Sequence, residues 1–181
     1  CSHTAVAKTL ELVTEYGLQT NGIAEVNIVQ SETMPGQGVN YTPNSPLAAR
    51  LSTPFTVSLG LKDGAVSLER FSAETLSDPV IKDLMPRIKV ETSVDLAEQY
   101  PNTVAAIVNI KMHDGRSFSG EQIYAKGDPK NRMTSKEITE KFRTLAVSII
   151  GNKRSDRVVI DILALDTAED IREVTKSLGA A

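Results

Sequence analysis

Apolar residues recur with helical spacing at the start of the chain: Val6, Leu10, Val13 and Gly17 stand at i, i+4, i+7 and i+11, which predicts a helix over about residues 3–17 with Ser2 as its N-cap. After Asn21-Gly22 the pattern changes. Ile23-Ala24-Glu25-Val26-Asn27-Ile28-Val29 is rich in β-branched residues and predicts a strand. The polar run from Ser31 to Asn44, with Pro35, Gly36, Gly38 and Pro43, predicts a long loop, and loops of that size inside a compact domain are often functional. Ser45-Pro46 gives the cap-then-proline order that opens a helix, and Leu47, Leu51, Phe55 and Leu59 continue at four-residue spacing. Pro54 then falls inside that helix, where its missing N–H leaves the Arg50 carbonyl unpartnered and kinks the chain near Ser52 and Thr53.

Further along, Ser77-Asp78-Pro79 predicts a third, short helix that Met85-Pro86 stops, and Arg87-Ile88-Lys89-Val90-Glu91 alternates as a strand. Val104, Ala106, Val108, Ile110 and Met112 share one face, Asp114-Gly115 supplies a turn, and Phe118 and Tyr124 lie on the return strand. The segment from Thr103 to Tyr124 is therefore a hairpin. Thr134-Ser135-Lys136-Glu137 is a capping box ahead of Ile138, Phe142, Leu145 and Ile149. One or two amphipathic helices follow from about Ser155 to Leu178, with Thr167 as a cap. This order of elements predicts an α+β fold, a two-layer sandwich of an antiparallel or mixed sheet with helices mostly on one face.

Composition narrows the classes. With 181 residues, 40% hydrophobic and 24% charged, the chain has the apolar material of one compact domain. A formal charge of -3 supplies no basic field, so neither nucleic acid nor a membrane surface is an expected partner. No apolar run approaches the about 20 residues of a membrane span, and no charged n-region with an apolar h-region opens the chain. The expectation is a soluble, cytoplasmic protein. Cys1 stands alone, and with His3 and His113 it makes neither a disulfide nor a zinc ligand set, so no metal is expected. The chain begins at Cys1 without Met and enters a helical pattern at once, which reads as a piece of a longer chain.

No nucleophile elbow, H-E-x-x-H, Walker loop or dinucleotide fingerprint is present. His3 lies at a helix N-terminus, where unpaired N–H groups and the positive dipole end favour an anion and disfavour an imidazolium. A neutral imidazole beside a bound carboxylate is a usable acid or base; the alternative is a solvated terminal histidine or a cap contact. Arg50, Ser52 and Thr53 around the expected kink offer donors to an anionic substrate, or else belong to a buried kinked helix with satisfied hydroxyls. Lys126, in Tyr124-Ala125-Lys126-Gly127-Asp128-Pro129, sets a cation and a close backbone N–H against a carboxylate, or is a solvated lysine on a well-made turn. His113, at the hairpin tip, is assigned no role.

Seven segments then occur in one order: Cys1-Ser2-His3-Thr4-Ala5; Leu51-Ser52-Thr53-Pro54-Phe55-Thr56-Val57 closing in Leu61-Lys62-Asp63-Gly64; Ser77-Asp78-Pro79 to Arg87-Ile88-Lys89-Val90; Tyr100-Pro101; His113-Asp114-Gly115; Tyr124 to Pro129; and Lys141-Phe142-Arg143. Together they resemble the MmgE/PrpD family, which includes 2-methylcitrate dehydratase, cis-aconitate decarboxylase and iminodisuccinate epimerase. The resemblance implies that residues 1–181 are one α+β lid domain of a larger two-domain protein, whose other, all-helical domain is the lid's partner within the same parent chain. It implies a cytoplasmic homodimer and metal-free, cofactor-independent proton transfer next to the carboxylate of a small di- or tricarboxylate. The reaction is a dehydration, as in propionate catabolism, or a decarboxylation, with the isolated chain inactive. Epimerisation by the same scaffold, or a non-catalytic module for ligand binding or dimerisation, is the alternative. His3 matches the family's catalytic histidine. Arg50, Ser52, Thr53, Phe55 and Lys126 are implied as substrate-binding residues. Some relatives carry Tyr where Phe55 stands.

Overall fold

The computed structural model of the chain describes residues 2–31 and 38–178. Cys1 and residues 32–37 of the predicted loop lie outside the described residues. The chain divides into two compact units, Cys1–Arg132 and Met133–Ala181, at a point the residue pattern does not mark.

In the first unit, helix α1 (His3–Tyr16) ends in Gly17, whose left-handed φ of 60° closes the last turn with a bond from its N–H to the Val13 carbonyl. Strand β1 (Ile23–Ser31) follows. Helices α2 (Pro46–Arg50), α3 (Thr53–Asp63), α4 (Ala73–Leu76) and α5 (Pro79–Leu84) then carry the chain across to strand β2 (Ile88–Ser93), which is parallel to β1. Such a long helical crossover is what a parallel neighbour requires. A short helix α6 (Val94–Glu98) leads to the predicted hairpin, β3 (Ala106–Met112) and β4 (Ser117–Gln122). The sheet order is β2-β1-β3-β4, with β1·β3 and β3·β4 antiparallel. The expected α+β arrangement with a mixed sheet is what the chain adopts.

One face of the sheet holds the core. Val26 and Ile28 of β1, Ile88 of β2 and Ala106, Val108, Ile110 and Met112 of β3 are buried against Ala5 and Leu12 of α1 and Val57 and Leu61 of α3. The other face is polar and tied by cross-strand pairs: Lys89 Nζ to Glu25 Oε2 at 2.6 Å, Asn27 Nδ2 to Glu91 Oε1 at 2.9 Å, and Ser119 Oγ to Asn109 Oδ1 at 2.6 Å. A second cluster, Ala49, Phe55, Leu59, Ile81 and Met85, packs between α2, α3 and α5, with Phe71 and Leu76 at its margin.

Two sequence expectations are corrected here. The buried face of α1 is centred one residue away from the expected Val6, Leu10, Val13 stripe, on Ala5, Thr9 and Leu12 with Lys8 also buried, while Val6 and Val13 pack half-buried against the core. Polar residues enter that face because their polar ends are provided for: Thr9 Oγ1 donates to the Ala5 carbonyl at 2.8 Å, and Lys8 Nζ reaches Glu11 at 2.6 Å while its stem lies on Gly120 of β4. Nor does Pro54 interrupt a continuous helix. α2 ends at Arg50 and a new helix opens, with Ser52 as its cap and Pro54 in its first turn, where a missing N–H costs nothing.

In the second unit, the capping box is formed. The Thr134 hydroxyl accepts from the Glu137 N–H at 3.2 Å, Glu137 Oε2 accepts from the Thr134 N–H at 2.7 Å, and α7 (Ser135–Ile150) follows. Helices α8 (Asn152–Leu163) and α9 (Ile171–Leu178) complete it. Thr167 caps neither: it ends a single 3₁₀ turn, Leu165–Thr167, because the chain straightens before α9. Among the described residues no helix is long and apolar enough to cross a membrane.

Candidate functional site

Both long helices of the first unit start at the same end of the sheet. The Thr20 hydroxyl donates to the Leu61 carbonyl at 2.9 Å, so α3 finishes where β1 begins, as α1 does through its short link to Ile23. Midway, Gly60 of α3 faces Leu10 of α1, with the leucine Cδ2 only 3.3 Å from where a β-carbon would stand. His3 lies seven residues before Leu10 and Thr53 seven before Gly60, about 10 Å along each axis, so the two helix starts come out level. The strand ends agree. Ala106 pairs with Gln30 on one side and Gln122 on the other, so the last turn of β1 and the Tyr124–Pro129 loop leave the sheet at that end too.

His3 is the first residue of α1 and is exposed. Ser2 occupies the N-cap position, yet its side chain makes no capping bond, and no acidic residue stands in the first turn. The helix therefore presents its positive end uncovered by a side-chain cap. Lys126 is exposed in a loop that is firmly built: Gln122 Nε2 and Asn131 Nδ2 both donate to the Tyr124 carbonyl, at 2.7 and 2.9 Å, and Gly127 N–H donates to the Asn131 carbonyl at 2.8 Å. Gly127 has φ 97°, a conformation glycine adopts without strain.

The residues expected around the kink part company. Ser52 is fully buried and its hydroxyl is consumed by structure, accepting from the Phe55 N–H at 3.1 Å and donating to the Asn40 carbonyl at 2.5 Å. Phe55 is 1% exposed, and its ring lies in the second core cluster, 6.1 Å from Phe71. Arg50 is exposed, with its guanidinium 5.8 Å from the centre of the Phe71 ring. Thr53 alone keeps an unengaged group. It is fully buried and its Oγ1 has no hydrogen-bond partner, whereas Thr56 and Ser58 further along α3 donate to carbonyls of the preceding turn, Thr56 to Ser52 at 2.9 Å and Ser58 to Pro54 at 2.8 Å. A threonine in the first turn has no helical carbonyl four residues back to donate to. Thr4, at the start of α1, is 1% exposed with an unpartnered Oγ1 for the same reason.

Sequence reading missed two members of this end. Gln30 closes β1 on the core face, 3% exposed, with Oε1 unpartnered. Gly38, at φ 83°, accepts from the Thr53 N–H at 2.8 Å. A β-carbon on Gly38 would stand 3.0 Å from Thr53 Oγ1 and 3.7 Å from Gln30 Nε2. The available signal was a glutamine at a strand position whose alternation calls for an apolar side chain. Ser31 Oγ is also unpartnered, but alternation puts it on the opposite face of the strand. Each unpaired buried polar group costs about 1–3 kcal/mol, and Thr4, Gln30 and Thr53 concentrate that cost at one end. Among the described residues, no group of three or more His, Cys, Asp or Glu side chains could hold a metal ion.

An α+β domain with a one-sided mixed sheet, and with a histidine and unpaired hydroxyl and amide groups gathered where two helices start, defines the class. The chain belongs to the MmgE/PrpD family: the model of the MmgE/PrpD C-terminal domain matches residues 1–166. It is similar to the cis-aconitate decarboxylase of Mus musculus, 21% identical over 136 residues, covering 75% of this chain and 28% of that protein. A cis-aconitate decarboxylase of Aspergillus terreus is 27% identical over 139 residues, 76% of this chain and 28% of that protein. A cis-aconitate decarboxylase-like protein of Aspergillus oryzae is 24% identical over 160 residues, 86% and 33%. The chain thus spans about a third or less of the length of these relatives.

Proposed function

We propose that this domain forms one wall of a lyase active site acting on a small di- or tricarboxylate, with a helical body of the same parent protein closing the cleft over the end where α1 and α3 begin. The observation that carries the reading is that exposed His3, at the start of α1 without a side-chain cap, stands level with the start of α3 at that end, in a chain of this family. Loss of carbon dioxide, or of water, beside a carboxylate builds negative charge on carbon and on the remaining carboxylate. Helix starts and Lys126 oppose that charge, and His3 moves the proton. In decarboxylation the carbon–carbon bond breaks toward the retained fragment, and His3 delivers a proton to the carbon that receives the electron pair. Decarboxylation is preferred over dehydration because the similar proteins bear that name. Ser52, Thr53 and Phe55 are buried and build the wall.

The test is turnover by the complete polypeptide carrying this domain, assayed with cis-aconitate and 2-methylcitrate, followed by His3→Ala. The variant should lower kcat by about 100-fold. A loss under about threefold removes His3 from the proton-transfer step, and turnover by residues 1–181 alone would remove the need for a second body.

A further inference from the structure

Resting on that reading for the existence of a longer parent polypeptide, we propose that the apolar seam along α7 is a seat for a helix that the rest of the same polypeptide supplies. Ile138, Phe142, Leu145 and Ile149 stand at i, i+4, i+7 and i+11, a line about 16 Å long on one face of the helix. Phe142 is half-buried, whereas Ile138, Leu145 and Ile149 are 55%, 47% and 81% exposed. Lys136, Glu140 and Thr144 occupy the opposite face. Alternating steps of four and three residues are the spacing at which one helix receives the side chains of another. Beside the seam lies a groove of about 270 Å³, lined mainly by Ile138, Phe142, Val158, Ile162, Leu163 and Leu178 and by no charged side chain among the described residues.

The second unit needs such a cover. None of the 16 residues of α7 is buried, and Val158 and Val174 are the unit's buried apolar side chains among the described residues. Three helices of this length rarely hold a sufficient core by themselves. Nor is the seam an appendage: the family model that matches residues 1–166 takes in all of α7 and α8. The occupant follows from length and tethering. This chain spans about a third or less of its relatives, so a polypeptide of that size brings a further body, larger than this one, to the same seam. A tethered helix has an effective concentration on the order of millimolar, which a second copy of the chain, free in solution, does not reach. With no charged side chain lining it, the groove takes the apolar face of a helix and not the carboxylate substrate.

In the complete polypeptide, Ile149→Cys should react with a maleimide about 100-fold more slowly than Thr144→Cys on the opposite face, each rate being read on its own peptide by mass spectrometry. Both changes are mild, since Thr144 is exposed and cysteine keeps position 149 apolar. The photo-cross-linker p-benzoylphenylalanine at position 149 should capture peptides from outside residues 1–181 and leave the mass of the chain unchanged. Equal rates for the two thiols overturn the seat. So does a cross-link that doubles the mass, or protection lost on dilution to nanomolar concentration, because either makes the occupant a second copy. Neither readout needs turnover. A polypeptide inactive on cis-aconitate and 2-methylcitrate that still protects position 149 upholds the seat while the lyase reading fails. An active one with equal thiol rates keeps the lyase reading and loses the seat.

Discussion

Asp78 ties three elements together, and its removal can be worked through. One carboxylate oxygen caps α5, accepting from the Val80 N–H at 2.9 Å and the Ile81 N–H at 3.3 Å. The other pairs with Lys62 at the end of α3, with Arg70 Nη2 at 3.9 Å. Losing an N-cap costs about 1 kcal/mol. The ion pair lies between the surface and buried limits, with side chains 27% and 15% exposed, and is worth about 1 kcal/mol. Asparagine retains the cap and loses the charge, so Asp78→Asn should cost about 1 kcal/mol and Asp78→Ala about 2. At about 3 °C per kcal/mol, these are melting shifts of about 3 and 6 °C. The Lys62 ammonium, followed by the two backbone N–H donors, holds the Asp78 carboxyl below the usual carboxylate range. A depressed native pKa gives stability that is complete above the unfolded value of about 3.9 and is lost as pH falls through the native one. Melts of the three proteins from neutral pH to about pH 2.5 should therefore show the gap between the parent and Asp78→Asn closing only at the acid end. Equal losses for Asn and Ala would refute the cap. A gap that survives full acidification would refute the charge.

Two further outcomes follow from packing and backbone. Phe55→Ala, which empties the second core cluster around a ring 1% exposed, should cost about 3–5 kcal/mol in urea denaturation, and a cost below about 1 would mean that the ring is not a core member. Gly64, at φ 67°, closes α3 with nothing within 4 Å of an added β-carbon, so Gly64→Ala isolates the left-handed penalty; a melting loss matching about 1–2 kcal/mol is expected, and none would refute the conformational role.

What the sequence made legible was local. The hairpin was readable because alternation along Ala106 to Met112 and the Asp114-Gly115 turn agree, and the capping box of α7 because its two bonds involve residues three apart. The start of α3 was misread because Leu47, Leu51, Phe55 and Leu59 mimic one continuous stripe. In the fold Leu47 and Leu51 are 66% and 64% exposed, and only Phe55 and Leu59 are core. Ser52-Thr53-Pro54 carries the same cap-and-proline signal as Ser45-Pro46 with one residue inserted. The parallel pairing of β1 with β2 was not legible either: its partners, such as Val26 and Ile88, meet only after the α2–α5 crossover. The site divides the same way. His3 and Lys126 could be proposed from their places in sequence, whereas Gln30 comes beside Gly38 and Thr53 only in the fold.

Ser52 and Thr53 show why adjacency in sequence is a poor guide to role. Both are hydroxyl residues, both are fully buried, and one peptide bond separates them. Ser52 has left the helix, so its side chain turns back on the first free N–H groups and its hydroxyl bonds on both sides. Thr53 has entered the helix, so its backbone is provided for, but its hydroxyl has no carbonyl behind it. A helix start thus creates, at successive positions, one hydroxyl that must serve the fold and one that cannot. Buried groups of the second kind persist at a cost in stability unless something outside the domain pairs with them. The same logic applies to Thr4 on α1, which emerges at the same end. Two helices that each carry a threonine in the first turn leave two buried hydroxyls unpartnered at one end of the sheet, and that coincidence sets this end apart from the better-paired remainder of the domain.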